Sequence, residues 1–154
     1  MAMMISVSHL APMLVAWLYD DCLIAVFACS MVFNFAAGYF CWLATRRYKT
    51  ELRAHDGFLL VALAWTGGAA FAMLPLLGGI AGLSFHDAYF EAISGLTTTG
   101  ATVIVNLDSL APSLNLWRHM LNWFGGMGII VLAVAVLPAA AGYVFTGMRI
   151  SLAG

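Results

Sequence analysis

Ser94-Gly95-Leu96-Thr97-Thr98-Thr99-Gly100-Ala101-Thr102 is a hydroxyl-rich run of small residues lodged between two long apolar segments. The chemistry such a run offers is oxygen ligation. Rings of backbone carbonyls from Thr/Gly loops replace the water shell of potassium in selective pores. Irregular backbone is tolerated at membrane depth only where it lines water or is buried in protein. Gly100 fits this picture, because successive carbonyls turn toward one axis only if some residues adopt left-handed dihedrals, which glycine tolerates. Ordinary helix-ending glycines around a re-entrant loop would explain one glycine, but not three consecutive threonines in an apolar setting. The run reads as an ion-conducting pore segment.

The elements that position it follow from composition and charge. Apolar residues make up 64% of the chain and charged residues 8%, against roughly 45–50% and 25% in soluble domains. A net charge of −1 gives no reason to expect nucleic acid as a partner. Charged residues are absent from Met1 to Tyr19, Cys22 to Thr45, Gly57 to His86 and His119 to Met148. Each stretch reaches the ~20 residues that a membrane-spanning helix needs. The expected fold is therefore an all-α membrane protein with four transmembrane helices, one re-entrant half-membrane pore helix and a filter loop. The first stretch, with Ser6, Ser8, His9 and Pro12, barely reaches that length. A signal peptide is its rival reading, though it lacks a basic leading region and a clear small-residue cleavage site.

Arg46, Arg47, Lys49 and Arg53, four of the six basic residues, share the loop between the second and third spans. The positive-inside rule places that loop, and with it the N-terminus, in the cytoplasm. Asp20, Asp21, Asp87, Glu91 and Asp108 then fall outside or in the segment entering from outside. Such acids either concentrate cations at an entrance or merely avoid the cytoplasmic loops. The expected divisions are 1–45 for an N-terminal helix pair, 46–56 for a basic linker, 57–142 for a helix–pore-loop–helix repeat and 143–154 for a short tail.

Ser84-Phe85-His86-Asp87 carries a helix-starting Ser-x-x-Asp pattern. Phe85, Ala88, Tyr89, Ala92, Ile93 and Leu96 then recur at threes and fours. A helix over Phe85 to Leu96, at 1.5 Å per residue, is roughly 18 Å long, about half a bilayer. Its C-terminal end, with about half a negative charge from aligned peptide dipoles, is aimed at the Thr/Gly run and suits a cation.

Asp87 to Thr102 as a whole, Trp123-Phe124-Gly125-Gly126-Met127-Gly128 running on to Pro138, Asp56-Gly57-Phe58, and Leu107-Asp108-Ser109-Leu110 together resemble the first pore repeat of the bacterial Trk/Ktr potassium-uptake transporters, of the TrkH type. The resemblance is firm over roughly Arg46 to Gly142. The two helices before it match the extra N-terminal pair of that branch in layout. It implies four such repeats arranged pseudo-fourfold around a potassium pathway, usually as a homodimer in the bacterial inner membrane. A cytoplasmic nucleotide-binding regulatory subunit gates the family's members. Carried onto this chain, the pore helix holds Asp87 and Glu91. The filter is Thr98, Thr99 and Gly100, flanked by Thr97 and Ala101, with potassium at the Thr98 and Thr99 carbonyls. One filter segment stands where the family has four. The expectation is a truncated or partial transporter that needs the remaining repeats, or further copies of itself, to close a pore. A non-conducting membrane packing subunit and a homotetrameric channel are the alternatives. Potassium is the substrate, no cofactor is implied, and an enzyme using Asp87 or Glu91 as acid or base is disfavoured.

The remaining conspicuous residues have plainer expectations. Cys22, Cys29 and Cys41 read as small buried thiols. Trp17, Trp42, Trp117 and Trp123 read as interfacial anchors. Gly67-Gly68, Gly78, Gly82 and the glycines of 125–128 read as sites of close helix packing. Arg118 reads as the structural partner of Asp108 or Glu91. His86 and Glu91, five residues apart, do not make a zinc site.

Overall fold

The computed structural model describes residues 2–46, 54–130 and 134, and every described element is helical. The chain runs through α1 (Ala2–Ser8), α2 (Leu10–Tyr19), α3 (Ile24–Thr45), α4 (Ala54–Ala72), α5 (Leu74–Gly79), α6 (Phe85–Leu96) and α7 (112–130). Two stretches, Ile24–Thr45 and Val61–Gly79, are long and apolar enough to cross a bilayer. Most of the basic loop expected to set orientation, 47–53, and the tail 143–154 lie outside the described residues.

Two of the expected spans are broken, each beside a proline. Pro12 has no N–H to give to the carbonyl four residues back, at Ser8. The chain turns at His9, whose amide donates to the Ser6 carbonyl at 3.2 Å, a tighter three-residue step. The single first span read from the sequence is thus the pair α1–α2. In the third span Pro75 likewise leaves the Phe71 carbonyl without its helical donor, and α4 gives way to α5 at Met73.

Neighbouring helices supply what these breaks expose. Asn34 on α3 donates from Nδ2 to the Phe71 carbonyl at 3.2 Å. Trp117 on α7 donates from its indole to the Ala72 carbonyl at 2.9 Å. An unpaired carbonyl in an apolar interior costs free energy comparable to a lost hydrogen bond, so the proline break tells α3 and α7 where to dock. Trp117 is therefore fully buried, packed on His9 with ring centroids 4.4 Å apart, and is not an interfacial anchor. A buried indole goes where its N–H finds an acceptor. Trp17, Trp42 and Trp123 are exposed, as an anchoring role requires.

Phe27, Leu76, Ala88, Ala92, Leu114, Trp117 and Leu121 form the core where α3, α5, α6 and α7 meet. Leu14, Phe33, Phe40, Leu63 and Ile130 point outward, the arrangement of a protein whose solvent is hydrocarbon. The three cysteines are free and exposed, contrary to the sequence expectation, and Cys22 precedes α3 altogether. In an apolar solvent the small polarisable thiol gains little from burial, so hydrophobicity alone does not decide which face it takes.

Trp117→Phe keeps one aromatic ring in the core but removes the donor to Ala72 and part of the buried indole volume. It is expected to lower stability by about 1–2 kcal/mol, measurable as a lower midpoint of thermal unfolding in detergent.

Candidate functional site

The half-length helix α6 begins and ends where its sequence says. The Ser84 hydroxyl oxygen accepts the Asp87 amide at 3.2 Å and donates to Asp87 Oδ2 at 2.7 Å, so hydroxyl and carboxylate together cap the N-terminus. At the C-terminus the Thr99 amide reaches back to the Ser94 carbonyl at 2.9 Å and the Thr98 amide to the Gly95 carbonyl at 3.0 Å. This crossed pair is a Schellman ending, which needs one residue in the left-handed region, normally glycine. Here the residue is Thr98, at φ 56°. A β-branched residue in that region costs on the order of 1–3 kcal/mol and persists only where its surroundings hold it. Gly100, at φ 75°, is the second left-handed residue. The alternation expected of a carbonyl-presenting loop is therefore present, with a threonine in one of its two special positions.

Side chains hold the loop from behind. The Ser94 hydroxyl donates to the Ala101 carbonyl at 2.7 Å. The Thr97 hydroxyl donates to Ile93 O at 2.8 Å and receives the Thr99 hydroxyl, also at 2.8 Å. The Thr98 hydroxyl donates to the Thr97 carbonyl at 2.7 Å. The flanking carbonyls of Thr97 and Ala101 are thus occupied. Among the described residues no donor reaches the carbonyls of Thr98, Thr99 or Gly100, and all three residues are exposed. Three consecutive acceptors without donors, at the negative end of a helix, form a surface suited to a cation.

The descending limb is organised by a residue whose role the sequence reading missed. Glu91 is 4% exposed. Its Oε1 accepts the Thr102 hydroxyl, the Val103 amide at 2.7 Å and the Ile104 amide at 3.3 Å. Its Oε2 accepts Arg118 Nε and Nη2 from α7, each at 3.1 Å. The expected pairing of Arg118 is with Glu91. The same contacts remove Glu91 from the acidic entrance, since both of its oxygens are engaged inside the protein. Asp21 is similarly committed: Oδ1 accepts the Leu23 amide at 3.3 Å and Oδ2 the Ser113 amide at 3.2 Å, at the start of α7. Of the five acids assigned to the outside, Asp20 and Asp108 remain exposed and outside any such cap.

The helix α7 approaches α6 through glycine. A Cβ on Gly125 would collide with the Leu96 carbonyl oxygen, at the foot of the Thr/Gly loop. One on Gly128 would meet Trp65 at 2.5 Å, and one on Gly78 would meet Val26 at 2.9 Å. Close packing therefore accounts for these three, but not for Gly67 or Gly82, beside which there is open space. Gly125→Ala should displace α7 from the end of α6 and sharply reduce folded protein in the membrane, because overpacking against backbone costs about 1–3 kcal/mol or more. Gly126→Ala, whose new methyl would meet only Thr98 Cγ2 at 3.9 Å, should leave the amount unchanged. The comparison is read from membrane abundance and detergent melting of the two variants.

Known proteins share this fold. Residues 23–148 match the family model TrkH, described as cation transport protein. The Trk system potassium uptake protein TrkH of Vibrio parahaemolyticus is 50% identical over 134 residues, which is 86% of this chain and 28% of that protein. Its namesake from Escherichia coli K12 is 44% identical over 139 residues, covering 90% of this chain and 29% of the relative. The crystal structure of the potassium transporter TrkH from V. parahaemolyticus superposes with a TM-score of 0.82 at 48% identity, over 89% of this chain and 30% of that one. The chain thus spans under a third of the length of the curated relatives it matches. With the family model covering most of the sequence, a helical fold shared with a solved member, and the half-length helix and Thr/Gly loop in place, the chain belongs to the TrkH family of cation transport proteins.

Proposed function

We propose that this chain forms one wall of a potassium-uptake pathway, with the carbonyls of Thr98, Thr99 and Gly100 as its filter contacts and Thr97 and Ala101 flanking them. The observation that carries the reading is the set of three consecutive, exposed, donor-free carbonyls beyond the C-terminus of α6. The names of the relatives, potassium uptake proteins throughout, support the choice of ion. In this reading the chain is a transporter segment and not an enzyme. It has four membrane spans, with the re-entrant helix α6 between the third and fourth. Its divisions are the helix pair of 1–45, the linker of 46–56, the repeat of 57–142 and the tail of 143–154. The N-terminus lies on the cytoplasmic side of a bacterial inner membrane. Potassium arrives from outside, exchanges water for the filter carbonyls beside the negative end of α6, and moves inward.

One wall does not enclose a dehydrated ion, which needs oxygens all around it. Further pore repeats, or further copies, complete the ring, and a cytoplasmic nucleotide-binding regulatory subunit and membrane lipid are the other partners. The exposed polar face of residues 98–103 supports such a completion, since hydrocarbon would leave its carbonyls unsatisfied.

A chimaera decides the matter, in which the V. parahaemolyticus relative carries this chain's segment in place of its own. It is expected to restore potassium uptake to cells lacking their own systems. Gly100→Ala in that chimaera forces a left-handed alanine at a cost of about 1–2 kcal/mol. That is enough to lower the potassium-to-sodium preference roughly tenfold. Uptake and preference both unchanged by Gly100→Ala would leave a packing role as the better description.

A further inference from the structure

The donor-free carbonyls sit in a short span of chain whose two ends are fixed by one face of α6. Ser94 holds both ends at once: its carbonyl accepts the Thr99 amide and its hydroxyl donates to the Ala101 carbonyl. One helical turn earlier, Glu91 Oε1 collects the Thr102 hydroxyl and the amides of Val103 and Ile104. Both residues are buried, at 4% and 5% exposure, so water does not compete for these contacts. Between the Thr99 amide and the Ala101 carbonyl lies Gly100 alone. A carboxylate is acceptor-only and so suits the convergence of three donors on one oxygen. Arg118, on a different helix, supplies the counter-charge through the other oxygen.

From this geometry we infer that Glu91, with Ser94, is a specificity-determining positioning group of the transporter: its Oε1 sets the distance between filter carbonyls by anchoring the outer limb of the loop. The ion pair with Arg118 keeps that oxygen in place but is itself dispensable. The inference rests on the filter reading above.

Two double substitutions in the chimaera separate acceptor from charge. Removing both partners avoids leaving one buried charge alone, the situation that destabilises most. Glu91→Gln with Arg118→Met retains a carbonyl oxygen at the anchoring position, and its potassium-to-sodium preference is expected to stay within about twofold of the parent. Glu91→Leu with Arg118→Met offers no acceptor, and its preference is expected to fall roughly tenfold at comparable membrane abundance. A parental preference in the leucine variant, while Gly100→Ala has lost it, overturns the inference and leaves the filter reading standing. Equal losses in the two doubles would also overturn it, since charge and not the acceptor would then be decisive. If neither the doubles nor Gly100→Ala alters the preference, the filter reading itself fails. Should the leucine variant not accumulate, Ser94→Ala and Thr102→Val, which each remove one hydroxyl, take its place. A fall in preference supports the anchoring role, and parental values in both remove it.

Discussion

A carboxylate taken out of water must find its partners within the protein, and Glu91 finds all of them in two places that would otherwise be unrelated. One oxygen faces the limb that leaves the Thr/Gly loop, the other faces an arginine on α7. The desolvation of such a group is worth several kcal/mol per ion, so the residues around it have little freedom to be elsewhere. The limb of residues 102–104 follows the position of Oε1, and α7 follows the position of Oε2. The half-length helix carrying the carboxylate is in turn fixed by its own serine cap and by Ala88 and Ala92 in the core. The Thr/Gly loop, α6 and α7 are one mechanical unit because a single buried charge joins them.

The cost of an unpaired backbone carbonyl in an apolar interior also explains where neighbouring helices dock on the breaks. Prolines at positions 12 and 75 remove backbone donors, and the freed carbonyl at Phe71 becomes a docking point instead of a defect. Asn34 and Trp117 are drawn to neighbouring carbonyls of one break from two different helices. Between membrane helices, where lipid is as apolar as leucine, such bonds and close contacts through small residues carry the specificity that hydrophobicity cannot. Gly125 and Gly128 provide the second half of that specificity, bringing α7 against the end of α6 and against Trp65.

The Thr/Gly loop is bonded on one side only. Its rear is held through Ser94, Thr97, Thr99 and Glu91, while its front presents carbonyls that no donor among the described residues reaches. Thr98 holds a left-handed conformation that its side chain resists, and the bonds behind it carry that strain. A surface that is rigid, polar and unsatisfied is the kind on which a cation can replace its water without the protein having to reorganise.

The sequence by itself determined what is local and periodic. The start and end of α6 were legible from Ser84, Asp87 and the threes-and-fours pattern, and the left-handed position at Gly100 from glycine's lack of a Cβ. Long uncharged stretches were legible as apolar helices because hydropathy sums along the chain. The family was legible because the motif runs around the filter are long. Tertiary structure decided everything that depends on who stands opposite whom. It put Trp117 in the core, since an indole's preference turns on an acceptor 45 residues away in sequence. It turned the cysteines outward and took Asp21 and Glu91 out of the entrance, because a carboxylate's role is set by donors 92 and 12 residues distant. It placed a threonine where a glycine is usual, held by contacts that no local pattern records. Periodicity describes one helix at a time, whereas a buried polar atom is satisfied only by a neighbour, and neighbours in space are not written in sequence order.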